Sequence, residues 1–171
     1  IAERFNNIYG DVFTIPEAYI GKKGAKIMSL QEPGKKMSKS DTNANATILL
    51  LDDTDTIIRK FKRAVTDSES EVRYAEEKPG ISNLMDIYSA VTGKTYEEIE
   101  KEFAGKGYGD FKLAVGETVA DHLKPLQERY EQLMKDKAYI ESMIKQNDEK
   151  AAYYANKTLR KVQKKVGLTE R

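Results

Sequence analysis

Two lysines three residues apart, Lys36 and Lys39, alternate with Met37, Ser38 and Ser40 in the stretch GKKMSKSD at positions 34–41. Each ammonium is a compact positive charge with three donors, and each hydroxyl adds a neutral donor. On a loop that folds over a ligand, this set suits a polyphosphate. A unit-charge pair at about 4 Å is worth on the order of 4 kcal/mol at an effective dielectric near 20. Two lysines can therefore supply much of the stabilisation needed when the α-phosphate of ATP is attacked and pyrophosphate leaves. A loop that closes only on its ligand makes its strongest contacts late, where they speed the reaction. The plainer reading is a solvated lysine-rich loop, the usual state of such a charge run.

The flanking sequence says what must position these groups. GAKIMSL, residues 24–30, has apolar and β-branched content bounded by Gly24 and Pro33, and is expected to be a strand. The segment QEPGKKMSKSDTNANAT after it is rich in Gly, Ser, Asn and Lys and has almost nothing to bury, so a mobile loop is expected there. Upstream, Ala2, Phe5 and Tyr9 form the stripe of a helix already under way, and DVFTIP reads as a short extended segment that Pro16 ends. The chain starts at Ile1 and inside an element, which reads as a piece of a longer protein.

From about residue 52 onward everything reads helical. DDTDTIIRKFKRAV places Ile57, Ile58, Phe61, Ala64 and Val65 on one face, with acids at its start and bases at its end, as the helix dipole favours. ISNLMDIYSAVTG has Ser82 as expected N-cap and Gly93 as its stop. Thr95 and Glu98 have capping-box spacing. Asp110 is expected to cap a long helix with Leu113, Val119, Leu123, Leu126, Tyr130 and Leu133 inward, and Pro125 to kink or split it. Asp136 opens a short helix through KAYIESMIKQ. A last helix runs from about Asp148 to Val166, with Ala151, Ala155, Leu159, Val162 and Val166 as its buried stripe and Gly167 as its stop. The expected fold is thus mainly α: a helical bundle following the end of a Rossmann-like α/β domain.

Composition narrows the chemistry. The 171 residues are 39% hydrophobic and 33% charged, which places the chain among soluble globular proteins. No apolar run approaches the roughly 18 residues of a membrane span, and the polar start IAERFNNIYG is unlike a secretion signal. With no cysteine there are no disulfides or thiolate metal sites, which fits a reducing compartment. His122 is the single histidine, so no His cluster or His-based triad can form. Charge is uneven. Basic blocks at 22–39 (Lys22, Lys23, Lys26, Lys35, Lys36, Lys39) and 150–171 flank a middle in which residues 67–103 carry ten acids against four bases. Such local fields attract anions whatever the overall charge.

Lys36-Met37-Ser38-Lys39-Ser40 matches the second signature of class I aminoacyl-tRNA synthetases at all five positions. GAKIMSLQEPGKKMSKSD closely resembles the bacterial-type tryptophanyl-tRNA synthetases. The resemblance continues in order through AVTDSE (64–69), KPGISNLMDIYS (78–89) and GKGYGDFK (105–112). It implies the C-terminal half of such an enzyme: residues 1–46 as the end of the catalytic domain with its loop, and 47–171 as a helical domain serving the anticodon end of tRNA-Trp, the last helix packing back on the catalytic domain. The HIGH-like and GEDQ-like signatures of the family are absent, so the chain by itself is not expected to form tryptophanyl adenylate.

By resemblance, Lys36 and Lys39 act catalytically on the triphosphate of ATP. Met37, Ser38 and Ser40 shape and anchor the loop, and Ile27 lies against the adenosine, although the residues taken alone favour a simple core-packing role for Ile27 in the expected strand. Met28 reads as core. ATP is the expected cosubstrate, with Mg²⁺ arriving alongside it because no carboxylate cage is visible. Tryptophan, whose pocket belongs to the absent half, and tRNA-Trp are the expected partners. The intact enzymes are cytoplasmic homodimers, and this piece is expected to be monomeric. The three later blocks are expected to be structural turns. In the last helix Lys157, Arg160, Lys161, Lys164 and Lys165, with Tyr153 and Tyr154, read equally as a tRNA face or as a solvated face with the tyrosines packed inward. The alternative function is a stand-alone helical RNA-binding module with an idle lysine loop. A related ATP-using nucleotidyl transferase fits the helical tail less well.

Overall fold

A computed structural model describes residues 1–21 and 24–168. Lys22, Lys23, Glu170 and Arg171, counted above in the charge blocks, lie outside the described residues. The chain is mainly α: α1 (Ala2–Tyr9), α2 (Thr54–Lys62), α3 (Pro79–Thr92), α4 (Tyr96–Glu102), α5 (Tyr108–Met134) and α6 (Lys137–Val166). Two compact units form, one of Ile1–Tyr19 with Glu131 onward, the other of Ile20–Tyr130. No helix among the described residues is long and apolar enough to cross a membrane.

The unit of residues 20–130 has the larger core. Ile57 and Phe61 of α2, Ile81, Leu84, Met85 and Tyr88 of α3, Ile99 of α4, Phe103 just after it, and Phe111, Val115 and Val119 of α5 are all buried together. Tyr88, Phe103 and Phe111 meet edge to face, with ring centroids 4.8–5.9 Å apart, the arrangement that ring quadrupoles favour. Gly116 lets α5 come close to α2, since a Cβ there would lie 3.0 Å from the Ile58 Cα. Ile57, Phe61 and Ala64 keep the expected inward face, whereas Val65 is exposed. The Thr95–Glu98 capping box is present with both reciprocal bonds, and Gly93 ends α3 in the left-handed conformation.

Several expectations are corrected. Residues 24–30 are not a strand; among the described residues a single antiparallel bridge, Met28 to Lys36, pairs them. A strand needs a neighbouring strand along its length; here the return limb supplies one bridge, Asn83 bonds the other side of Met28, and Leu30 bonds Ala46 and Val65. Ser82 does not cap α3. The helix starts at Pro79, whose fixed φ suits the first helical position, and Lys78 precedes it. The Ser82 hydroxyl instead donates to the Ala75 carbonyl at 2.8 Å and accepts from the Ala75 amide at 3.1 Å. Asp110 lies within the first turn of α5 and does not cap it; there its charge still suits the dipole. Pro125 does not split α5, which runs unbroken through it. Both Pro125 and Asp121, four residues before it, are exposed, so the carbonyl deprived of its partner can be hydrated.

The two last helices expected are one. α6 runs through Asp148 without a break, opened by Asp136, whose carboxylate accepts from the Tyr139 amide at 2.9 Å. Its expected buried stripe is not buried: Ala151, Ala155 and Leu159 are exposed, and Val162 and Val166 half-buried. Of the positions expected inward on α5, Val119 is buried, Leu113, Leu123 and Leu133 are half-buried, and Leu126 and Tyr130 are exposed. In the other unit, Asn6 of α1 folds the DVFTIP segment back: its carboxamide accepts from the Val12 and Phe13 amides and donates to the Phe13 carbonyl. Phe5 packs between Tyr9 and Phe13.

Candidate functional site: the Lys36–Ser40 loop and its supports

The loop starts from a small two-limbed turn. The Ser29 amide donates to the Lys35 carbonyl at 2.8 Å, and the Met37 amide donates to the Ile27 carbonyl at 3.0 Å. Met28 and Lys36 therefore face each other as a non-hydrogen-bonded pair, and the backbone groups of Met28 point away from the turn. They meet the side chain of Asn83 on α3. The Met28 amide donates to Asn83 Oδ1 at 2.8 Å, and Asn83 Nδ2 donates to the Met28 carbonyl at 2.9 Å. A buried carboxamide, 3% exposed, thus takes the place of a neighbouring strand.

Side chains alternate along the second limb. Met37 is half-buried and packs on the core beside Ile27, while Lys36, Ser38, Lys39 and Ser40 are exposed. The ammonium of Lys35 pairs with Glu32. Among the described residues no ion pair engages Lys36 or Lys39. The Ser38 and Ser40 hydroxyls are 3.0 Å apart and hydrogen-bonded. Beyond them the Asp41 carboxylate accepts from the Asn43 amide, and the Asn43 side chain from the Asn45 amide, so the loop is held by successive Asx turns. Its exit is tied to its entrance: the Leu30 amide donates to the Ala46 carbonyl at 3.0 Å. Met28, read from the sequence as core, is half-exposed and lines a cavity of about 320 Å³ with Pro33, Tyr74 and Asp86. Among the described residues no group of three His, Asp or Glu side chains is placed to hold a metal ion.

A second constellation was not visible as one site in the sequence. AVTDSE, KPGISNLMDIYS and GKGYGDFK converge on Lys78, which is 2% exposed. Lys78 Nζ donates to Glu69, to Tyr108 at 2.9 Å and to Asp67 at 3.4 Å, and the Tyr108 hydroxyl donates to Asp67 at 2.8 Å. Lys112 of α5 donates to the Ala64 carbonyl and the Thr66 hydroxyl, both at 2.9 Å. Gly80 lets α3 reach this turn, since a Cβ there would overlap the Val65 carbonyl oxygen. The only hint in sequence was lysine next to proline at a helix start. Three polar blocks far apart in the chain carry no period that announces a meeting.

Charge in this network follows its contacts. The hydrogen bond from Lys78 to Glu69 and that to Tyr108 outweigh desolvation and raise the Lys78 pKa. Burial pushes the Asp67 carboxyl up, but the bonds from Tyr108, the Glu69 amide and Lys78 prevail and hold it below the ordinary aspartate range. A depressed carboxyl adds stability that is complete above its unfolded value, about 3.9, and is lost as pH falls from there through the folded value. Replacing Asp67 by Asn should therefore flatten the acid limb of thermal stability below about pH 4. Tyr108→Phe should lower stability at neutral pH by about 1–3 kcal/mol, because it leaves Lys78 and Asp67 each one partner short. Thermal melts of both variants from pH 2.5 to 7 check this; a Tyr108→Phe melt identical to wild type throughout would contradict it.

On α6, Tyr153 and Tyr154 are 63% and 59% exposed and meet each other edge to face at 5.3 Å, so they are not packed inward. Arg160, Lys161 and Lys164 line a cavity with Leu168 on the same helix end.

Comparison with known proteins agrees with this arrangement. The family model "tRNA synthetases class I (W and Y)" matches residues 1–124. The tryptophan–tRNA ligase of Clostridium tetani is 52% identical over 168 residues, which are 98% of this chain and 50% of that protein. That of Clostridium perfringens is 51% identical over the whole chain and 52% of its own length. The chain thus spans about half the length of the curated relatives it matches. The crystal structure of the tryptophanyl-tRNA synthetase of Mycoplasma pneumoniae superposes with a TM-score of 0.88 at 28% identity, over 98% of this chain and 51% of that one. The Campylobacter jejuni enzyme, solved with ADP and tryptophan, gives 0.65 at 26% identity, with 98% and 51% covered. The loop signature, its anchoring frame and the match over residues 1–124 together show that this chain belongs to the class I tRNA synthetases of the tryptophan and tyrosine group.

Proposed function

We propose that the chain is the C-terminal half of a tryptophan–tRNA ligase, which activates tryptophan with ATP and transfers it to tRNA-Trp. The alternation around Met37 carries this reading: the apolar side chain holds the loop on the core while Lys36 and Lys39 stand exposed on it. In activation the tryptophan carboxylate attacks the α-phosphorus of ATP and pyrophosphate departs. Lys36 and Lys39 neutralise the charge growing on the leaving group, and Ser38 and Ser40 keep the loop backbone in shape. Ile27, bonded to Met37 through its carbonyl, supports the adenosine side. Mg²⁺ enters as part of Mg–ATP. Residues 1–46 serve catalysis and 47–171 the tRNA; the grouping of α6 with residues 1–19 in one unit supports a last helix that returns to the catalytic part. The longer protein acts in the cytoplasm as a homodimer, and this chain alone is monomeric.

The test is tryptophan-dependent ATP–pyrophosphate exchange by the longer polypeptide that contains this chain and by the chain alone. Exchange with tryptophan by the first and none by the second is expected. Exchange with tyrosine but not tryptophan, or near-normal turnover by the chain alone, would contradict the proposal.

The exposed tyrosines and cations of α6 suit RNA, with phosphates met by the lysines and unstacked bases by the rings. Charge reversal at Lys161 and Lys164 should weaken tRNA-Trp binding and make its salt dependence shallower by about two counterions, one for each lysine that no longer meets a phosphate. Binding curves at several salt concentrations decide this; an unchanged slope removes α6 from the interface.

A further inference from the structure

The exit limb of the lysine loop is held by a buried cation that the chemistry above does not use. Lys60 of α2 is 5% exposed. Its ammonium donates to the Thr47 carbonyl at 2.9 Å and to Asp52 Oδ2 at 2.6 Å, and the same carboxylate oxygen accepts from the Leu49 amide at 2.9 Å. Thr47 passes the restraint on. Its hydroxyl donates at 2.7 Å to the carbonyl of Ser38, the residue between the two functional lysines, and that carbonyl also accepts from the Asp41 amide at 3.2 Å.

The peptide joining Ser38 to Lys39 is planar, and no peptide bond among the described residues is cis. Holding the Ser38 carbonyl therefore sets the direction of the Lys39 amide and the point from which the Lys39 side chain departs. A buried lysine with only backbone and carboxylate partners is costly to leave half-satisfied, so the restraint is stiff.

We propose that Lys60, through Thr47, is a positioning residue for Lys39 in the activation step. The proposal rests on the role given to the loop above. α2 then orients the charge that meets the leaving pyrophosphate from outside the lysine loop itself.

The experiment measures kcat and the KM values for ATP and tryptophan in pyrophosphate exchange by the longer polypeptide. The variants are Thr47→Val, Lys60→Met, both together, and Lys36→Ala as reference. Thr47→Val keeps the shape of the side chain and removes only the hydroxyl bond, so it remains informative if Lys60→Met fails to fold. It should lower kcat about tenfold, the worth of roughly one oriented hydrogen bond, with the KM for tryptophan unchanged. Lys60→Met should lower kcat at least as much. The double variant should be no slower than the slower single one, because both act on one peptide group. In amide exchange of the chain alone, Asp41 should exchange faster in Thr47→Val while the melting temperature stays the same. Wild-type kcat in Thr47→Val beside a collapsed Lys36→Ala overturns the positioning role and leaves the loop's role intact. A lowered melting temperature with unchanged kcat also overturns it, since that is what a merely structural bond would give. Wild-type kcat in Lys36→Ala removes the loop's role, and the positioning role with it.

Discussion

Lys39→Ala in the longer polypeptide is expected to slow tryptophan-dependent pyrophosphate exchange by about 10²–10³-fold, and Lys36→Ala by a similar factor. The size follows from what one well-placed donor to a charge that grows in the transition state is worth, roughly 2.7–4 kcal/mol. The loss should appear in kcat more than in the KM for ATP, because the contacts strengthen as pyrophosphate separates. The double variant should fall short of the product of the two, since both cations serve one leaving group. Folding should be untouched. Both side chains are exposed, and among the described residues no ion pair holds either, so a melt should agree with wild type within about 0.5 kcal/mol. Lys39→Arg restores charge without the compact ammonium and should recover part of the rate. Rates within threefold of wild type for both alanine variants would end the catalytic reading of the loop.

Asn83→Leu is expected to destabilise the chain strongly from outside the loop. Leucine has the same branched outline and suits a helix interior, so helix propensity should not suffer. What goes is the pair of bonds to Met28, which leaves a backbone amide and a carbonyl without partners at the entrance of the loop. Each orphaned group costs about 1–3 kcal/mol where water cannot reach it, and Met28 is half-exposed, so a total on the order of 2–4 kcal/mol is expected. Asn83→Asp separates the two bonds: a carboxylate still accepts from the Met28 amide and no longer donates to its carbonyl, so it should fall between wild type and Asn83→Leu. Chemical denaturation of the three proteins gives the order. Equal midpoints for wild type and Asn83→Leu would show that the carboxamide does not hold the segment.

The reach of sequence reasoning here depended on range. Caps and stops were legible wherever the bond is local: Thr95 with Glu98, Gly93, Asp136 and Gly167 act as their neighbours in the chain predict. Periodicity named most of the inward positions of α2 but misjudged α6, because an apolar stripe says that a face can be covered and not whether a given stretch of chain covers it. It also read GAKIMSL as a strand. The β-branched and apolar content was real, but strand identity belongs to a pair, and what borders this segment is a helical asparagine.

By itself the order of residues established the family, through five contiguous loop positions and the blocks that follow them, and it established a mainly helical chain, because capping and 3.6-residue periodicity act within a few residues of where they are written. Only the tertiary structure decided that Asn83 and Lys60 root the loop and that Asp67, Glu69 and Tyr108 form one network around the buried Lys78. These bonds join residues 8 to 55 positions apart. A lysine or an asparagine has the same letter whether it faces water or a buried carbonyl, and burial is settled only when distant segments exclude water together.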